Sequence, residues 1–155
     1  MTSESSAPRS LPREHYLTHG WDLKSWLLTT DHKRIGLLYL ISITLMFAIG
    51  SFYAAIVRFN LLVADGSHMS AEAYNKAFTL HGAAMVFLFI IPAIPGAFGN
   101  FFLPLMLGAK DVAFPRLNLM SFYIYCIGAV FLVYSILTNA VDTGWTFYTP
   151  YRTST

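Results

Sequence analysis

The sequence predicts an all-α, polytopic transmembrane helix bundle, three spans of it in this chain, and three observations carry that prediction. Charge is scarce: of 155 residues 55% are hydrophobic and 12% charged, with a mean hydropathy of +0.53, where soluble domains carry about 25% charged residues. Three long apolar runs occupy residues 35–57, 77–107 and 119–138. The basic residues between those runs are shared unequally between alternate sides.

Taken in order, residues 1–20 are rich in Ser, Pro and Arg without an apolar run. Such a composition does not offset the entropy of ordering, so a mobile tail is expected, and it lacks the pattern of a secretory signal. Over residues 21–34, Trp21, Trp26, Leu27 and Leu28 surround Lys24 and form an amphipathic stretch suited to a membrane surface. Residues 35–57 contain no charge and are long enough to cross a hydrocarbon core of ~30 Å. The second span, 77–107, contains Pro92, Pro95 and Pro104 with Gly96 and Gly99. Neighbouring helices in a bundle satisfy the backbone groups that such residues free. The third span is expected over 119–140, followed by an outward-facing segment over 141–155.

Orientation follows from Arg9, Arg13, Lys24, Lys33 and Arg34 before the first span and Lys110 and Arg116 after the second, against Arg58, Lys76 and Arg152 on the other side. The positive-inside rule places the N-terminus and the Lys110 loop in the cytoplasm. A net charge of +2 without a basic run argues against nucleic acid. The single Cys126, in an apolar stretch, forms no disulfide framework or cysteine cage and reads as a small buried hydrophobe. No internal repeat is visible, and three helices are too few for an inverted-repeat transporter.

His81 lies about one turn inside the second span. An ionisable side chain there is costly and marks function by default. Its chemistry allows a haem or metal ligand, a proton relay, or a hydrogen bond between helices. Gly82, Ala83 and Ala84 leave room for a flat macrocycle, and Phe78, Met85 and Phe89 are placed to wall it.

Three blocks in fixed order then resemble subunit I of the haem–copper oxygen reductases: TTDHKRIGLLYL (29–40), TLHGAAMVFLFIIPAIPGAFGNFFLPLMLGAKDVAFPRLNLM (79–120) and TGWTFYTPY (143–151). The resemblance implies a subunit of about twelve helices and an activity that reduces oxygen to water and pumps protons. It implies that His81 is an axial ligand of a low-spin haem, with haem a as the expected form. It also implies that Arg58 approaches a peripheral substituent of that haem and that Trp145 lies near the propionates. Read without it, Arg58 is a snorkelling interfacial cation and Trp145 a belt aromatic. Asp111 matches the carboxylate at the mouth of the proton-uptake path, Asn100 and Asn118 match two water-holding asparagines, and Tyr39 matches a lining tyrosine. An ideal helix separates His81 from Asn100, nineteen residues on, by about 28 Å, which sets haem and uptake path at opposite faces.

The resemblance places the second axial histidine, the high-spin haem ligand and the copper ligands beyond this stretch. A truncated subunit is the expected reading, with a split subunit completed by another chain or a non-catalytic scaffold as alternatives. Implied partners are the remainder of subunit I, a copper-bearing subunit II, subunit III, membrane lipid and cytochrome c, in a bacterial inner membrane. Ile49, Tyr53, Ala73 and Lys76 stand where quinol-oxidising members carry an arginine, an aspartate, a histidine and a glutamine, which favours cytochrome c over the quinol branch. Asp111, Asn100 and Asn118 argue against the nitric oxide reductases. Asn60 replaces a glutamate that serves a structural cation in some members, so no such site is expected. A small b-type haem anchor needs a second histidine within the spans, whereas His15, His19, His32 and His68 all read as tail or loop residues.

Overall fold

The computed structural model describes residues 22–62 and 68–138. A short helix, α1 (Leu23–Leu27), is followed by α2 (His32–Asn60), the long helical span α3 (Ala71–Leu107) and α4 (Pro115–Leu137). The three long helices each have the length and apolarity needed to cross a membrane, and the chain is an integral membrane protein. Residues 1–20, Trp145 and the 141–155 segment lie outside the described residues.

Each helix begins before its apolar run, because hydropathy marks what sits in hydrocarbon whereas capping decides where hydrogen bonding starts. The Asp31 side chain accepts from Lys33 N at 2.8 Å, so α2 starts at His32, three residues ahead of the apolar stretch. Ser70 Oγ accepts from Ala73 N at 3.2 Å and opens α3 at Ala71. Glu72 follows in that first turn and meets Lys76 at 2.7 Å, an i,i+4 pair on a face outside the apolar stripe. Pro115 opens α4, where its missing N–H costs nothing. α3 ends at Gly108, which takes the left-handed φ of 63° that glycine adopts without strain.

The prolines of α3 do not break it. The helix widens into π turns over Ala84–Ile90 and Ala93–Gly99 and returns to α geometry over Asn100–Leu107. Pro92 has no N–H to give to the turn before it, and in that turn the Leu88 carbonyl accepts the Tyr125 hydroxyl of α4 at 3.0 Å. Asn100 Nδ2 donates likewise to the Gly96 carbonyl at 2.7 Å. Wider turns rise less per residue, so His81 and Asn100 are closer along the axis than an ideal α-helix sets them.

α2 and α3 pack antiparallel with glycines at the crossing. A Cβ on Gly36 meets Asn100 and Phe101 at 3.1 Å, one on Gly96 meets the Tyr39 ring at 2.6 Å, and one on Gly50 meets Met85 Sδ at 2.7 Å. Close backbone approach of this kind is how helices associate where lipid removes the hydrophobic drive. Ile35, Tyr39, Ile43, Ala93, Ala97 and Phe122 form one core cluster, and Met46, Leu88 and Ala129 form another further along. The opposite faces leave large apolar side chains uncovered, among them Phe52, Ile94, Val130 and Phe131, as suits contact with lipid or further helices.

Candidate functional site

Two groups of polar side chains occupy opposite ends of the α2–α3 pair. At the Asn60–Ser70 end, His81 stands on the last α turn before the first π turn of α3, a kind of irregularity that frequently accompanies function. Its Nδ1 lies 2.9 Å from the Gly50 carbonyl of α2. A carbonyl only accepts, so Nδ1 carries the proton and Nε2 keeps its lone pair. That is how proteins set the tautomer of a ligating histidine. Gly50 matters because Met85 already fills the space that a Cβ there takes. A Cβ on Gly82 meets nothing within 4 Å, so the face beside His81 is open.

The expected walls behave differently from one another. Met85 packs on Gly50, Phe89 meets Phe47 in a tilted ring contact with centroids 4.8 Å apart, and Phe78 points away from the core. Arg58 is exposed in the last turn of α2, eight residues and so about 12 Å along the axis from Gly50. The structure does not bring it onto His81.

The opposite end gathers more than the sequence indicated. Asp111, in the loop after Gly108, accepts Val112 N at 2.7 Å on Oδ1. The same oxygen lies 2.8 Å from His32 Nδ1. His32 is 6% exposed, whereas the Asp111 side chain is 44% exposed, so the pair joins a buried imidazole to a water-facing carboxylate. Asp31 Oδ1 stands 3.9 Å from the same nitrogen. His32, expected as a loop residue, is thus the buried first residue of α2. The signal available was that His32 and Asp111 fall on the same side by the distribution of basic residues.

Asn100 and Asn118 face one another through reciprocal amide hydrogen bonds of 3.2 and 2.5 Å, with Asn100 3% exposed. The Tyr39 hydroxyl lies 2.9 Å from Ser121 Oγ. Ser121 donates its own proton to the Asn118 carbonyl at 2.6 Å, so Tyr39 is the donor to Ser121. Asn118 and Ser121 line a cavity of about 370 Å³ together with Tyr39, Gly96 and Tyr125. The same two residues also line one of about 450 Å³ reaching Asn100 and Val112. Both are open grooves with mostly apolar walls, and Asn118, Ser121, Tyr39 and Asn100 are the polar groups spaced along them from beside Val112 to the middle of the bundle. Neither Ser121 nor Tyr125 has a spacing that distinguishes it in the sequence.

Comparison with known proteins identifies the family. The family described as Cytochrome C and Quinol oxidase polypeptide I matches residues 34–155. Cytochrome c oxidase subunit 1 of Thermostichus vulcanus is 39% identical over 148 residues, covering 96% of this chain and 26% of that protein. The probable cytochrome c oxidase subunit 1-beta of Nocardia farcinica is 43% identical over 146 residues, covering 93% and 24%. The probable subunit 1-alpha of Streptomyces avermitilis is 44% identical over 127 residues, covering 81% and 22%. The chain spans about a quarter of the length of these curated relatives. With most of its length matched, the chain belongs to the cytochrome c and quinol oxidase polypeptide I family.

Proposed function

We propose that this chain is part of the catalytic subunit of a proton-translocating terminal oxidase of the cytochrome c type, which reduces oxygen to water. In this reading His81 supplies one axial ligand of the low-spin haem, and the His32–Asp111 end takes up protons. The observation that carries it is the His81 Nδ1 bond to the Gly50 carbonyl, which fixes the ring and leaves Nε2 available to iron. The open face at Gly82 suits a flat macrocycle, so the residues present fit one side of a haem. A haem held there supplies one-electron redox chemistry. Its second axial ligand, the high-spin haem and the copper belong to the remainder of the subunit, and Trp145 and Arg58 to the haem periphery.

On the other side, the Asp111 carboxylate exchanges protons with bulk water through its exposed part and accepts the His32 Nδ1 proton at Oδ1. Asn100 and Asn118, neutral at all working pH values, orient water without trapping a charge. The Tyr39 hydroxyl and Ser121 continue the hydrogen-bonded line inward. The excess of basic residues on this side supports a cytoplasmic location in a bacterial inner membrane. The polar groups missing at Ile49, Tyr53 and Ala73 support cytochrome c as donor, with a copper-bearing subunit II and subunit III as partners.

The experiment is His81→Ala in the whole oxidase. Loss of one axial ligand abolishes the low-spin optical band while the protein still assembles. An unchanged low-spin spectrum in the assembled variant ends the ligand assignment.

A further inference from the structure

α1 is five residues long and none of its residues is buried. A helix so short has no stability of its own, and it has no apolar core to hold it. Polar attachments hold it instead. Arg34, in the first turn of α2 and 4% exposed, donates from Nη1 to Ser25 Oγ at 2.9 Å and to the Ser25 carbonyl at 3.3 Å. Its guanidinium carbon stands 5.0 Å from the centroid of the Trp26 ring, within cation–π range. From α4, the Tyr123 hydroxyl donates to the Leu27 carbonyl. Helical side chains lean toward the helix N-terminus, which carries Tyr123 back toward α1. The connecting turn is fixed too, with Asp31 N donating to Thr29 Oγ1 at 3.2 Å.

His32 is the next residue after that turn. The first turn of a helix at the end of a bundle ordinarily meets water, yet His32 is as buried as the core. We propose that α1 is a strap over the His32–Asp111 pair, and that Arg34 and Tyr123 are positioning residues for proton uptake that act through His32. The inference rests on Asp111 being the uptake carboxylate. Ser25 and Leu27, the residues that Arg34 and Tyr123 hold, lead through the Thr29–Asp31 turn directly into His32, so their release loosens the chain that enters the helix at the imidazole. Water that reaches His32 then competes for the Nδ1 proton, and Asp111 loses its fixed donor.

The test uses Tyr123→Phe and Arg34→Leu in the whole oxidase, with three readouts. Amide hydrogen exchange over residues 23–33 accelerates in both variants. The infrared carboxylate band of Asp111, identified by its loss in Asp111→Asn, shifts. Turnover falls about fivefold, the rate equivalent of one hydrogen bond, with a normal low-spin spectrum, and this loss disappears in a His32→Asn background. An unmoved Asp111 band, or an equal turnover loss in the His32→Asn background, overturns the positioning role. Should Arg34→Leu not assemble, Tyr123→Phe decides alone, since it removes a single oxygen. Normal turnover in Asp111→Asn overturns the uptake reading instead, and leaves the exchange and infrared results to judge the strap as structure.

Discussion

His32 and Asp111 are 79 positions apart in the sequence and share a hydrogen bond of 2.8 Å. Nothing local announces that pairing. A histidine after a capping aspartate and an aspartate between Lys110 and Arg116 each pass for solvated charges when read alone. Asp111 was legible only through its motif, and His32 became legible only when α2 and the Asp111 loop were placed together. The burial difference between the partners predicts their separate effects. His32→Asn removes the imidazole but leaves the exposed carboxylate, so turnover in the whole oxidase falls about fivefold, one hydrogen bond's worth, and not to the level of Asp111→Asn. Steady-state oxygen consumption of the two variants side by side checks the order. His81 was legible as an ionisable group in hydrocarbon, whereas its Gly50 partner was not, because a backbone carbonyl carries no sequence signal.

At the scale of elements, apolar runs located all three long helices but not their ends. The capped first turns of α2 and α3 are polar and lie outside any hydropathy window. The prolines of α3 read as part of one span, and the structure accommodates them as two π turns whose neighbourhood is served by Tyr125 and the Asn100 amide. The close α2–α3 crossing makes a definite prediction at Gly96. An added methyl there falls 2.6 Å from the Tyr39 ring, and a packed ring cannot fold away as a methionine tail can. Gly96→Ala therefore destabilises the purified oxidase by about 1–3 kcal/mol, seen as a lowered thermal midpoint in detergent. Gly50→Ala meets the flexible end of Met85 and costs less in stability, but it disturbs the Gly50 carbonyl that holds His81. Its signature is a shifted low-spin band at a near-normal midpoint.

For the whole molecule, the antiparallel pairing of α2 and α3 puts His81 at one end and the His32–Asp111 pair at the other, with the Asn100, Asn118, Ser121 and Tyr39 side chains further in from the second. His81 and His32 stand at opposite ends of the bundle and cannot together complete a bis-histidine site, and the uncovered apolar faces of all three helices lack the packing that fixes helices in lipid. The 155-residue chain reconstituted alone with haem accordingly gives no stoichiometric bis-histidine spectrum. The central claim is that the two ends do separate work, haem ligation at one and proton uptake at the other. Asp111→Asn in the whole oxidase, reconstituted in vesicles, tests it most directly, with oxygen consumption, proton release and the low-spin spectrum recorded on one preparation. An amide keeps the shape of Asp111 but cannot ionise, so turnover and proton release both drop about tenfold or more, the rate equivalent of ~1.4 kcal/mol, while the low-spin band stays unchanged. Near-normal oxygen consumption and proton release, or a low-spin band altered by a change at the far end of the helices, contradicts the account.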